Sequence, residues 1–281
     1  MDFQMDNRVE MRTKRNLIIF TVLVLGFAAL AAVIDPLTVP PGAAPETAGL
    51  GQLLWIAAPS AAMLLLRLIG GDGWKDFGVR PNFKGNVYWW LASILIFPVV
   101  LSLTVVFGLI FGGIEVETNV LPRIGGLLLA ALIPSMLKNL LEESAWRGYL
   151  APKLYSLKMS VWLSHAIVGL VWGLWHLPFL FVFWPYLEPG MLVYFIPLLL
   201  LGTISQSVVY GEIRLATDSF LPAWVMHTIG NSLGNTLLIS RLTQFGSGME
   251  LWFSPGAEGI VSIVLMFAAG YWLHQRNKES T

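Results

Sequence analysis

The chain has 281 residues, 56% of them hydrophobic and 12% charged, with a mean hydropathy of +0.70. Those values exclude an ordinary soluble globular domain and indicate a polytopic membrane protein. Lys plus Arg and Asp plus Glu both number 17, so net charge says nothing about partners; no nucleic-acid partner is expected of a membrane protein of this kind, and the absence of cysteine excludes disulfides, thiolate catalysis and Cys-ligated metals.

A membrane-spanning helix needs about 20 mostly apolar residues. Eight segments meet that rule in chain order: 17–34, 50–69, 87–111, 126–149, 161–183, 191–210, 224–242 and 259–273. The first follows a basic segment (Arg12, Lys14, Arg15) but is long for a signal-peptide core, so it reads as a retained span. Pro59, Pro98, Pro134 and Pro197 fall inside spans and are expected to kink them.

Basic residues alternate between the connecting segments. The N-terminus carries Arg8, Arg12, Lys14 and Arg15. The connection after span two carries Lys75, Arg80 and Lys84, with Arg67 at the helix end. Lys153 and Lys158 follow span four, Arg214 follows span six, and Arg276 and Lys278 lie in the tail. The other connections hold only Arg123, with Arg241 at a helix end. The positive-inside rule then predicts eight helices in the cell membrane with both termini cytoplasmic. No repeat and no soluble domain interrupts the pattern, so residues 1–281 read as one integral-membrane domain, an all-α bundle in contact with the lipid bilayer. The sequence sets no oligomeric state.

Charge at bilayer depth is costly and marks function by default. The costly residues inside the spans are Lys138, Glu142, Glu143, Arg147, His165, His176, His227, Asn231 and Asn235, on spans four, five and seven. Glu143 and Arg147 are i,i+4 and can pair, while Glu142 points about 100° away and has Lys138 at i−4. The bland reading of this cluster is a buried ion-pair network that fixes helix packing. Trp172 and His176 share a face of span five, with Gly169 and Gly173 as a small-residue pair. A hairpin turning near residue 159 brings Glu142 and His176 to one depth. His165 lies nearer the turn and reads as interfacial. On span seven His227 and Asn231 are i,i+4, two hydrogen-bond donors for one oxyanion, and Gly230 and Gly234 allow close packing. Asn235 drifts off that stripe and is given at most a supporting role.

A carboxylate opposite an imidazole can activate water as general base. An alternative is a zinc or other divalent metal held by Glu142, His176 and His227 with the fourth position open to water. The residues alone leave both schemes open. Gly-x-Ser-x-Gly, His-Glu-x-x-His and Gly-x-Gly-Asp motifs are all absent, and the serine at 247 lies in a connection.

Glu142-Glu143-x-x-x-Arg147-Gly148, Trp172-x-x-x-His176 and His227-x-x-x-Asn231 resemble, in order, the signature of the CPBP family. These are the CAAX proteases and bacteriocin-processing (Abi) enzymes, which include the Ras-converting CAAX endopeptidases. The signature core covers about 126–242. The resemblance implies an eight-helix intramembrane endopeptidase acting on a peptide or prenylated protein. It implies water activation by Glu142 and His176, an oxyanion hole of His227 and Asn231, and support from Glu143, Arg147 and Trp172. The family is commonly labelled metalloprotease, although the glutamate-water scheme needs no metal. Trp146 and Trp172 stand where phenylalanine is common, and Lys138 is unusual so close to Glu142. Two competing functions are a non-catalytic bacteriocin-immunity or scaffold protein using the same polar pocket, and a secondary transporter. The transporter lacks the internal repeat expected of it.

Overall fold

A computed structural model describes residues 7–40, 47, 49–180, 187–239 and 242–280. The predicted end of the fifth span at Phe183 and the base Arg241 lie outside the described residues.

Long apolar runs form helices wherever spans are expected. They are α1 (Asn7–Thr38), α2 (Leu50–Leu68), α3 (Val87–Ile110), α4 (Ile124–Ala145), α6 (Val161–His176), α7 (Leu192–Thr217), α8 (Leu221–Ile239) and α10 (Ile260–Ser280). Helix α4 runs through a π-helical turn (Trp146–Leu150) into short α5 (Ala151–Ser156), and a single turn, α9 (Glu250–Phe253), precedes α10. The expected prolines sit inside α2, α3, α4 and α7. The basic N-terminal residues belong to α1 itself, which begins at Asn7.

Among the described residues six helices are long and apolar enough to cross a membrane. The protein is an all-α polytopic membrane protein. Eight crossings were expected. Helices α8 and α10 fall short of the apolar criterion because α8 carries His227, Asn231 and Asn235, and because the last turns of α10 carry His274, Arg276 and Lys278.

Packing runs around a ring, α1–α2–α4–α8–α3–α10–α7–α6, and closes from α6 to α1. The outward faces are apolar, with Val22, Leu95, Val99, Leu129, Ile133 and Leu137 exposed. The interior holds polar groups such as Ser93, Thr104, Asn139, Glu142, Glu143 and Arg147. Lipid is as apolar as leucine, so packing and polar pairing, not apolar burial, hold such a bundle together. At Gly169 a Cβ would lie 2.4 Å from the Ile204 Cα, so the α6–α7 approach requires a residue without one. Gly230 likewise meets the Phe97 ring, whereas a Cβ at Gly234 would make only an ordinary contact with the Pro255 carbonyl at 3.9 Å, so the packing there is looser than at Gly230.

The two ends of the ring differ. At one end Asp76, in the α2–α3 connection, accepts from Arg67 of α2 at 2.9 Å and pairs with Lys153 of α5 at 2.9 Å. Arg214 of α7 donates to the Asp76 carbonyl (2.9 Å), the Arg147 carbonyl (3.0 Å) and Asp218 (2.7 Å). Tyr149 donates to Asp72 at 2.7 Å. Asn16 of α1 donates to the Gly70 carbonyl and Asn277 of α10 to the Glu212 carbonyl, both at 3.0 Å. Most of the basic connections named from the sequence thus meet at one end. Arg67, Lys153 and Arg214 are consumed there in ion pairs with Asp76 and Asp218. At the other end β1 (Ile114–Val116) pairs antiparallel with β2 (Thr243–Phe245), Glu115 opposite Gln244. This ribbon joins two of the base-poor connections, in keeping with the alternation.

Candidate active site

The hairpin of α4–α5 and α6 is the frame. It turns at Leu157 and Lys158, where Lys158 adopts φ +56°, and Ser160 caps α6 by accepting the Leu163 N–H at 3.2 Å. This register sets Glu142 beside Trp172. The Trp172 indole N–H donates to Glu142 Oε2 at 2.9 Å, and Lys138 Nζ lies 2.9 Å from Oε1. Glu142 is fully buried, while the Lys138 side chain remains 27% exposed.

Glu143 faces elsewhere. Its Oε1 accepts from Arg147 at 3.0 Å and from His227 Nδ1–H at 2.9 Å. Arg147 also donates to Ser207 Oγ at 3.0 Å, and its guanidinium lies 4.9 Å from the Trp172 ring and 4.4 Å from the Tyr210 ring. A fully buried carboxylate and guanidinium are tolerable only when paired this way. The two adjacent glutamates are therefore unlike. Glu143 belongs to an ion pair linking α4, α7 and α8, while Glu142 pairs with a lysine at the edge of open space.

That space is a cavity of about 710 Å³ whose walls include Lys138, Trp172, His176, His227, Asn231 and Glu258. His176 Nδ1 is 2.9 Å from the Trp172 carbonyl, so Nδ1 carries the proton and Nε2 keeps a lone pair. Trp55 stacks on Trp175 at 4.0 Å, stands edge-on to His176 at 5.7 Å and lies under Lys138 Nζ at 5.3 Å. Asn231 donates to Asn139 Oδ1 at 2.9 Å. Asn235 also lines the cavity.

Placement of the sequence-predicted residues is uneven. Trp172, His176, His227 and Asn231 line one chamber, and Glu142 lies behind its wall, bonded to the lining residues Lys138 and Trp172. Among the described residues Glu142 makes no hydrogen bond to His176, and Asn231 is tied to Asn139 instead of standing free beside His227. Among the described residues no three His, Cys, Asp or Glu side chains form a group that could hold a metal ion. Glu142 is turned to Lys138 and Trp172, and His227 to Glu143. The set Glu142, His176 and His227 is thus not arranged as three metal ligands.

Two features escaped the sequence. Asn139, i−4 to Glu143, is a mid-span amide whose helical spacing could have flagged it. The second is the surroundings of His165. This histidine is buried, with Nε2 3.0 Å from Glu212, which also takes His274 Nδ1 at 2.8 Å and Asn277 at 2.6 Å. Helix α7 continues past Tyr210 to Thr217, which brings Glu212 inside the bundle.

Similarity to known proteins falls on this same frame. Residues 124–233 match the model of the type II CAAX prenyl endopeptidase Rce1-like family. A curated relative from Methanococcus maripaludis, "CAAX prenyl protease 2", is 32% identical over 98 residues, 31% of this chain and 33% of the relative. The chain spans about a third of the length of the curated relative it matches. The matched segment begins with α4 and ends within α8. It contains the site residues named above on α4 and α6 together with His227 and Asn231 of α8, and it excludes Trp55, Asn235 and Glu258.

Proposed function

We propose that the cavity is the active site of an intramembrane endopeptidase. The observation that carries this reading is Glu142. It is a fully buried carboxylate held by Lys138 and the Trp172 indole at the edge of a chamber, with the His176 Nε2 lone pair on the same chamber. A water between Glu142 and His176 gives up a proton to one of them as its oxygen attacks the peptide carbonyl carbon. The C–O bond forms, and the oxyanion takes hydrogen bonds from the second Asn231 N–H and from His227 Nε2 in its imidazolium form, whose charge Glu143 offsets. Collapse breaks the C–N bond, and the abstracted proton passes to the leaving amine. No step runs through a metal.

The substrate class is a CAAX-type prenylated protein or a related membrane-associated peptide, by similarity to the relative's name. Cavity walls come from the base-poor half of the bundle: Gln52 near the start of α2, Leu238 near the end of α8, and the 254–259 connection. With eight crossings and the basic end and both termini cytoplasmic, the chamber lies in the far half of the membrane. This placement favours a peptide that reaches it from within the bilayer. The deciding experiment is cleavage of a panel of peptides and prenyl-peptides by the purified chain, followed by mass spectrometry. Cleavage abolished in Glu142→Gln supports the reading, and cleavage retained in it overturns the assignment of Glu142.

A further inference from the structure

The connection 254–259 between α9 and α10 is built around one acid. Ser254 Oγ donates to Glu258 Oε1 at 2.6 Å and itself accepts the Gly256 N–H at 3.1 Å. The Ser254 carbonyl accepts from Ser262 of α10 at 3.1 Å. The Ala257 carbonyl sits against Gly202 of α7, where a Cβ would lie 1.7 Å from it. At Gly256 a Cβ would lie 2.4 Å from both Glu258 carboxyl oxygens, so glycine leaves the room that the carboxyl occupies.

All this positions a group that is only 5% exposed yet stands in the cavity wall. Its Oε2 has no hydrogen-bond partner, and no cation pairs with it, among the described residues. A buried carboxylate left short of a partner is costly, and the charge-assisted hydrogen bond it lacks is among the strong ones. The catalytic scheme above makes no use of it. Lys138, the other charged group named in the wall, is already paired with Glu142.

We propose that Glu258 is a specificity-determining residue that receives a cationic side chain, lysine or arginine, of the peptide occupying the cavity. The proposal rests on reading the cavity as a peptide site.

The test uses the full chain in detergent and prenyl-peptides whose scissile bond is replaced by a ketomethylene link. A single lysine is walked through the peptide, each version paired with its norleucine isostere, and binding is read by fluorescence anisotropy. At one position lysine binds about tenfold tighter than norleucine. That ratio falls to near one in Glu258→Gln and in Gly256→Ala, where the new methyl displaces the carboxyl, and Glu258→Asp keeps part of it. Melting temperatures of the variants report their folding. Equal binding of every lysine–norleucine pair by the unsubstituted chain overturns the proposal, as does a ratio unmoved in Glu258→Gln. Hydrolysable counterparts separate the two readings. Peptides bound with lysine preference but left uncut defeat the endopeptidase reading alone, and peptides cut without that preference defeat this one alone.

Discussion

Trp172 Nε1 donates to Glu142 Oε2 across the α4–α6 interface at 2.9 Å, fixing the carboxylate of one helix with the indole of the next. The same ring lies over the Arg147 guanidinium at 4.9 Å and stands edge-on to His227 at 5.2 Å. One tryptophan therefore touches both halves of the polar cluster.

Trp172→Phe keeps a ring over Arg147 and removes only the N–H. A hydrogen bond to a charged group contributes about 1.5–3 kcal/mol. The expected result is a kcat lowered about 10- to 100-fold with a small change in KM, measured by steady-state peptide cleavage.

Glu142→Gln and Glu143→Gln should separate chemistry from architecture. General-base loss lowers the rate by about 10²- to 10⁴-fold, and Glu142→Gln should do so with a nearly unchanged melting temperature. Removing one partner of a buried pair costs about 3–5 kcal/mol, so Glu143→Gln, which leaves Arg147 short of its anion, should lower the melting temperature sharply. Thermal melts and rates on the same preparations check both.

A chelator should leave cleavage unchanged, because Glu142, His176 and His227 do not assemble into a metal-holding group. Rates before and after dialysis against EDTA, with zinc added back, are the measurement.

Asp76 predicts an acid-sensitive end of the bundle. Burial raises its carboxyl, but hydrogen bonds and charge from Arg67 and Lys153 outweigh burial and hold it below its ordinary 3.8. A lowered folded value means a stabilisation fully present above the unfolded value and lost as pH falls through the folded one. The native chain should therefore lose stability relative to Asp76→Asn only below about pH 4. Melting temperatures of the two proteins from pH 7 to pH 3 should converge at the acid end.

Absence of cysteine makes topology directly measurable. Lys158→Cys should react with an impermeant maleimide from the cytoplasmic face, and Ser247→Cys from the opposite face.

Much of this was legible in the sequence because a span is set by length and apolarity, and because helical spacing fixes which residues share a face. The hairpin register that joins Glu142 to the Trp172–His176 face follows from counting residues to the basic turn. The pairing of Asn231 with Asn139 was not legible, since it depends on the rotation of α8 against α4. The Glu212 partner of His165 was not legible because α7 outruns its apolar stretch, and apolarity does not mark where a helix stops once it is buried among other helices. Glu258 carried no signal at all. A lone acid in a connection looks solvated until the glycines around it are seen pressed against its neighbours.

The π-helical turn at Trp146–Leu150 joins two stretches of helix that answer to different masters. Upstream, Asn139, Glu142 and Glu143 are indexed to Asn231, Trp172 and His227. Downstream, Tyr149 and Lys153 are indexed to Asp72 and Asp76. A π turn holds about one residue more than an α turn, so it acts as a phase shifter between the two. Deleting one residue there would rotate one stretch against the other by about 100°. This segment should accept changes of side chain far more readily than a change of length.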